Sequence, residues 1–443
     1  MNRIIENAIN RNTRDSSYYK PSYISKNDEF ERVFDYDAFI EELEEFYNAT
    51  SNRSGINTNI FLQNMIDILS ASDSIPDSLT DKLVESNFFE YAWICLDPNE
   101  PTLLTKIIRV FSLFAYFSSD LVSLMRENST LHRICDLFNR STFHYNTYDS
   151  FMRLFSNFGE DSPESRDFLL KFQIFQHICN IIMMNDDPFI IKSSLIALKS
   201  FFPITIDQLS NEYADQVILP LKSIIIRFSK EESYENEELY YSILQYTLVI
   251  IQIYCSNIPR IQYFIQSGTC IALLNIMYEI KESHTIIIFE ILSIFSSTMD
   301  NEILEHILPL LDIRYMITIA MNSQDSIRPL CDFFLNVFEY DPTFIPTAFD
   351  ACLFDVIEYS IKKGTYDIKK SVLNLITIIF NSSIDERIKG LFYREDIIES
   401  MIEYWDVEYH SSKSSPLFGA ISSMYKEYYG LSYIPEQYGV NTK

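Results

Sequence analysis

Glycine is nearly missing from this chain, with eight in 443 residues. No GxxxxGK[ST], GxGxxG or GxSxG segment occurs, so the loops that cradle phosphates and the elbow that presents a nucleophilic serine are excluded. No Asn-Gly or Asp-Gly pair separates alternating apolar runs, which removes the strongest hairpin signal. Apolar runs of membrane-spanning length are also missing. The longest, such as YTLVIIQIYC over residues 246–255, reach about half a span and carry Gln252. The first residues, MNRIIENAINRNTRDSS, hold no apolar core of signal-peptide length, so no secretory leader is expected.

Positive charge is short. Lysine and arginine total 35 against 62 acidic residues, a net charge of −27 that repels phosphate backbones and anionic lipid. Nucleic acid and membrane surfaces are therefore not expected partners, and complementary basic protein segments are favoured. Cysteine is sparse and unpaired in pattern: Cys95, Cys135, Cys179, Cys255, Cys270, Cys331 and Cys352 are scattered through apolar runs without a CxxC. They read as buried free thiols of a reducing compartment, the cytoplasm or the nucleus.

Catalytic patterns are absent as well. The six histidines form no HExxH or HxH, and the nearest approach to ligand pairs is His132 with Cys135 and His177 with Cys179. Zinc sites use tighter and more regular spacing, so both histidines read as packed or surface groups. Carboxylate pairs such as Glu41/Glu45 and Glu231/Glu235 lie in acid-rich segments where such spacing carries no information. The expectation is a protein that is not an enzyme, with no catalytic residue, metal, cofactor or small-molecule substrate.

What is present is apolar and helical. Hydrophobic residues make up 47% and aromatics 15%, with 34 Phe and 29 Tyr, enough for a long continuous core. Residues 1–30 are polar and aperiodic and read as a mobile tail. From Asp35 onward Phe39, Ile40, Leu43 and Phe46 mark one face of an amphipathic helix, and helix follows helix to about Tyr429. This first acidic helix reads as a cap, its Phe39 and Phe46 covering an open apolar face. Breaks such as DSIPDS, LDPNEP, NDDP and EYDP supply the turn and N-cap residues.

One shape recurs: a short apolar helix, a small or polar break, a longer apolar helix, then a third that is more apolar still. The breaks fall near Asn87, Asn128, Phe172, Gln216, Gly268, Asp312, Ala351 and Glu395, at steps of 41, 44, 44, 52, 44, 39 and 44 residues. A period near 42 with three helices per unit is the pattern of an α-solenoid, in which each unit buries its open face on the next. The step of 52 contains an acidic insertion over residues 229–238, read as a solvated projecting loop.

Residues 239–280, LYYSILQYTLVIIQIYCSNIPRIQYFIQSGTCIALLNIMYEI, resemble the armadillo-repeat pattern of a third helix, a loop, an Ile-rich first helix, a Gly and a second helix with Leu-Leu. The resemblance extends over roughly residues 56–429 in degenerate form. It implies an all-α, right-handed, armadillo-like solenoid of about eight to nine three-helix repeats over residues 31–429, followed by a C-terminal extension over 430–443. In that family the glycine lets the first helix turn sharply into the second. Third helices there line a groove whose exposed positions, four apart, hold an extended peptide.

Carried over, those positions give Asn64/Ile68, Ser112/Tyr116, Arg153/Asn157, Ile196/Ser200, Glu290/Ile294, Asp332/Asn336 and Leu375/Ile379. The candidate contacts are Asn64, Tyr116, Arg153, Asn157, Glu290, Asp332 and Asn336, with Asn157 and Asn336 in the slot where the family's asparagine bridges a peptide backbone. The family's tryptophan ladder is missing, since Trp93 and Trp405 fall on second helices. No lysine or arginine recurs at one groove position. The resemblance implies a protein-binding scaffold, or else a regulatory subunit or adaptor for a kinase, phosphatase or small GTPase, or a karyopherin-like carrier.

Overall fold

The computed structural model describes residues 33–202, 211–228, 237–255, 257–277, 280, 282–382, 386–409 and 416–430. The tail expected over 1–30, most of the acidic insertion at 229–238 and all but the first residue of the 430–443 extension lie outside the described residues. Every regular element described is a helix. The chain divides into two compact units, the first ending at Ile250 and the second beginning at Ile251.

In the first unit α1 (Tyr36–Ser51) and α2 (Gly55–Ala71) open the stack. Three-helix repeats follow: α3 (Ser78–Glu85), α4 (Phe88–Ile94) and α5 (Pro101–Phe117), then α6 (Ser119–Glu127), α7 (Thr130–Arg140) and α8 (Tyr145–Asp161). The next are α9 (Pro163–Lys171), α10 (Ile174–Met184) and α11 (Pro188–Lys199), then α12 (Asn211–Asp215), α13 (Ile218–Phe228) and α14 (Glu237–Tyr254), which carries the chain past Ile250. The second unit continues with α15 (Ile258–Gln266), α16 (Thr269–Ile276) and α17 (Glu282–Ser297), then α18 (Asn301–Ile307), α19 (Ile313–Asn322) and α20 (Gln324–Tyr340). It ends with α21 (Ile345–Asp350), α22 (Leu353–Lys363) and α23 (Tyr366–Asn381), then α24 (Glu386–Gly390), α25 (Glu395–Tyr409) and α26 (Pro416–Tyr429). Third helices lie side by side, α2–α5–α8–α11 in the first unit and α17–α20–α23–α26 in the second.

Local chemistry explains where each repeat starts and turns. Ser118, Ser162, Asn257 and Asp300 sit at the N-caps of first helices, where each side chain accepts a hydrogen bond from a first-turn backbone N–H at 3.0–3.3 Å. Between first and second helices stands a left-handed residue: Asn87 (φ 53°), Ser129 (65°), Gln173 (58°), Gly268 (71°) and Cys352 (75°). The expected break is met at Asn87 and Gly268, and the left-handed residue falls one position later at the other three. Asn87, Gln173, Gly268 and Cys352 each donate their N–H to the carbonyl three residues back, at 2.9–3.0 Å, closing the same tight turn. Gly268 takes this conformation without a Cβ clash, whereas each of the other residues carries roughly 1–2 kcal/mol of strain.

Burial follows the repeat. Phe39 and Phe46 of α1 are fully buried, against Phe114 of α5 at 6.4 Å and Phe88 of α4 at 5.6 Å, so α1 seals one end of the first stack. At Gly159 the third helices come unusually close. A Cβ there would stand 3.0 Å from the Ser200 Cβ and 3.3 Å from its carbonyl oxygen, at the C-terminus of α11. Six cysteines are buried as expected, but Cys352 is exposed. It occupies the left-handed break before α22, on the outside of the turn rather than in the apolar run beside it. Trp405 is fully buried. Trp93 is half-buried, its indole N–H donating to Thr130 Oγ1 at 3.0 Å and its ring covered by the Arg133 guanidinium at 3.8 Å. No described helix is long and apolar enough to cross a membrane.

The turn geometry sets the sign of two substitutions. Gly268→Ala lowers stability by about 1–2 kcal/mol, and Gln173→Gly, at an exposed left-handed site, raises it by up to about 1 kcal/mol. Urea unfolding of the two variants beside the wild type checks both signs.

Candidate functional site

Third helices are apolar around most of their circumference. On α5, Leu104, Ile107, Ile108, Phe111 and Phe114 are fully buried, and on α8 so are Phe151, Leu154, Phe155 and Phe158. What remains is one open row per helix. In the first unit these rows enclose a groove of about 570 Å³ along the middle of α2 and the N-terminal halves of α5 and α8. Gln63 of α2, Thr105, Lys106 and Arg109 of α5, and Asn146 and Asp149 of α8 line it.

Most polar groups along this row tie one third helix to the next. Lys106 Nζ donates to the Asn59 carbonyl of α2 at 2.7 Å, and burial lowers its pKa while nearby Asp67 opposes that shift. Thr105 and Thr147 share a hydroxyl hydrogen bond of 2.7 Å between α5 and α8. Asp149 accepts from Arg153 Nε at 2.7 Å through one oxygen and from Ser193 Oγ of α11 at 2.6 Å through the other. The second unit repeats the device. Glu290 of α17 accepts from Gln252 Nε2 at 3.0 Å. Asp332 of α20 accepts a hydrogen bond from Ser371 of α23, with Arg328 Nε 3.9 Å from its carboxylate. Burial raises the Asp332 pKa, and both of these partners pull it back.

The two candidate asparagines belong to the same network. Asn157 Nδ2 donates to the Ser112 carbonyl at 2.7 Å and to Ser112 Oγ at 3.1 Å, and Asn157 is only 6% exposed. Asn336 Nδ2 donates to Ser296 Oγ at 3.1 Å and to the Ser293 carbonyl at 3.4 Å. The Asn157 amide is thus engaged between α8 and α5. Asn64, Tyr116, Arg153, Glu290, Asp332 and Asn336 are half-exposed on their third helices. Asn64, Tyr116 and Arg153 belong to the first unit, and Glu290, Asp332 and Asn336 to the second.

Two groove cations, Lys106 and Arg109, were not among the expected contacts. The carried-over pairs stepped 41 residues from Ser112 to Arg153, whereas hydrogen bonds between adjacent third helices join residues 42, 44 and 45 apart. Between α5 and α8 those ties join residues 42 and 45 apart, which sets Arg153 in register with neither Lys106 nor Arg109.

The histidines considered as metal ligands are packed against aromatic rings. His132 stands edge-on to Phe172 at 4.6 Å, and His177 to Phe138 at 4.9 Å. Burial lowers the His177 pKa, which favours the neutral imidazole. Among the described residues no group of three or more His, Cys, Asp or Glu side chains gathers to hold a metal.

No family model matches the chain, and no curated protein matches it. Among solved structures, the crystal structure of an engineered protein superimposes with a TM-score of 0.67 at 12% identity, covering 88% of this chain and 92% of its own. A designed armadillo repeat protein gives a TM-score of 0.45 at 12% identity over 56% of this chain and 98% of its own. Another, solved in complex with the peptide (KR)4, gives 0.46 at 12% identity over the same shares. The fold is an all-α solenoid of armadillo-like three-helix repeats, with a left-handed residue between the first two helices at Asn87, Ser129, Gln173, Gly268 and Cys352 and an Asp312 cap there in another repeat.

Cross-ties of this kind contribute to stability. Asn157→Ala leaves the Ser112 groups without their donor and costs about 1–2 kcal/mol in urea unfolding. For Asp332 the folded pKa lies above the unfolded one near 3.8, so its stabilising contribution is full below that value and is lost as pH rises through the folded pKa. Asp332→Asn abolishes this loss. The variant's unfolding midpoint, relative to wild type, rises from acid to neutral pH.

Proposed function

We propose that the protein is a non-enzymatic scaffold that binds segments of another protein along its third-helix faces. The groove over α2, α5 and α8 carries the reading. Backbone amides along it are spent inside helices, so an incoming chain is recognised by side chains on a rigid, pre-formed row. Asn64, Tyr116 and Arg153 lie on the same three helices, next to the residues that line the groove, and extend the binding row along them. Asn157 holds α8 in register beneath them. In the second unit Glu290, Asp332 and Asn336 take the corresponding role. Their two carboxylates, within a chain of net charge −27, favour a basic segment on that unit, with an affinity that falls as salt rises. Six buried free thiols suit a reducing compartment, the cytoplasm or the nucleus.

A variant that fills the groove without touching its cross-ties tests this. Thr102 and Asn146 are exposed groove residues on α5 and α8. Proteins captured from lysate of the source cells are compared by quantitative mass spectrometry between wild type and a Thr102→Trp, Asn146→Trp variant of equal melting temperature. The expected outcome is a partner lost from the variant. Partners held equally by both forms count against the groove.

A further inference from the structure

We propose that the groove of the first unit takes an extended protein segment through an acidic side chain, whose carboxylate pairs with Arg109. This rests on the reading of the third-helix face as a protein-binding surface and names the chemistry of its occupant. Arg109 is half-buried, lines the groove, and makes no ion pair or side-chain hydrogen bond among the described residues.

Every charged neighbour along the row is already engaged. Lys106 is held by the Asn59 carbonyl, and Arg153 by Asp149. Asp149's second oxygen is taken by Ser193, and Asp67 accepts the Gln63 amide at 2.9 Å. Lys106 spends its ammonium on a neutral carbonyl, whereas Arg109 has neither a counter-ion nor a side-chain hydrogen bond among the described residues, and its guanidinium is a planar fork of donors that matches a carboxylate in two parallel hydrogen bonds. A partly desolvated charge of this kind is costly alone, and an incoming carboxylate offsets that cost. A lysine or arginine side chain in the same place would set like charges together. Exposed Thr102 and Asn146 offer hydroxyl and amide groups to the flanking peptide backbone. A volume of about 570 Å³ suits a short stretch of extended chain. The first unit is therefore selective for acid although the chain as a whole carries −27. Long-range attraction and local recognition have opposite signs here, and the short-range pair decides which side chain is seated.

A library of random linear peptides displayed on phage, selected on the full-length protein, tests this. The wild type is expected to enrich peptides with Asp or Glu at one fixed position. Their affinity should fall about tenfold or more for Arg109→Gln at unchanged melting temperature, with partial recovery for Arg109→Lys. Selected peptides that carry Lys or Arg at that position, or that bind Arg109→Gln as well as wild type, overturn the acidic pairing. If Thr102→Trp, Asn146→Trp still blocks those peptides, the groove reading survives without it. Peptides indifferent to both variants, or a selection that enriches nothing, overturn the two together.

Discussion

The side-by-side burial of third helices is the constraint on which the rest of the structure depends. Each is apolar on nearly all sides, as the run from Leu103 to Ala115 on α5 shows, with only Thr105, Lys106, Arg109 and Ser112 interrupting it. A helix with that composition is stable only when engulfed, by its own first and second helices and by the third helices on either side. One row per helix stays open, and in the first unit those rows line the groove over α2, α5 and α8. The groove is thus a by-product of how the core is filled.

Close packing of the third helices also decides what the open row does. Polar side chains at its edges lie near the polar groups of the next helix, and they pair with them: Asn157 with Ser112, Asn336 with Ser296, Asp149 with Ser193. Serine recurs as the partner because a small side chain admits the approach and still presents a hydroxyl. Gly159 against Ser200 is the extreme case, with no room for a methyl group. Such ties fix the register of one repeat on the next, which dispersion contacts among Ile, Leu and Phe leave loosely specified.

The exception gives the groove its character. Arg109 and Lys106 are cations without a counter-ion in the groove, within an acidic chain. Net charge describes what the molecule attracts from a distance, and an unpaired group in a furrow describes what fits. The two need not agree, since screening removes the first over about 8–10 Å of physiological salt and leaves the second in place.

Much of this was legible in the residues. The 42-residue pattern, the turn at Gly268, the first-turn prolines after Asp187 and Glu100, and the burial of Phe39 and Phe46 follow from periodicity and from what glycine, proline and aspartate do to a backbone. Periodicity determined that the chain is helical and repetitive. The asparagines stand at the spacing of peptide contacts, and spacing does not reveal that their amides also bond across to Ser112 and Ser296. Cys352 read as buried because its neighbours are apolar, yet the turn puts it outside. Only the tertiary structure decided these points. A polar side chain's role depends on what stands across from it, and that is set by the offset between repeats, 42 to 45 residues here, where an error of three moves a side chain by almost a full helical turn.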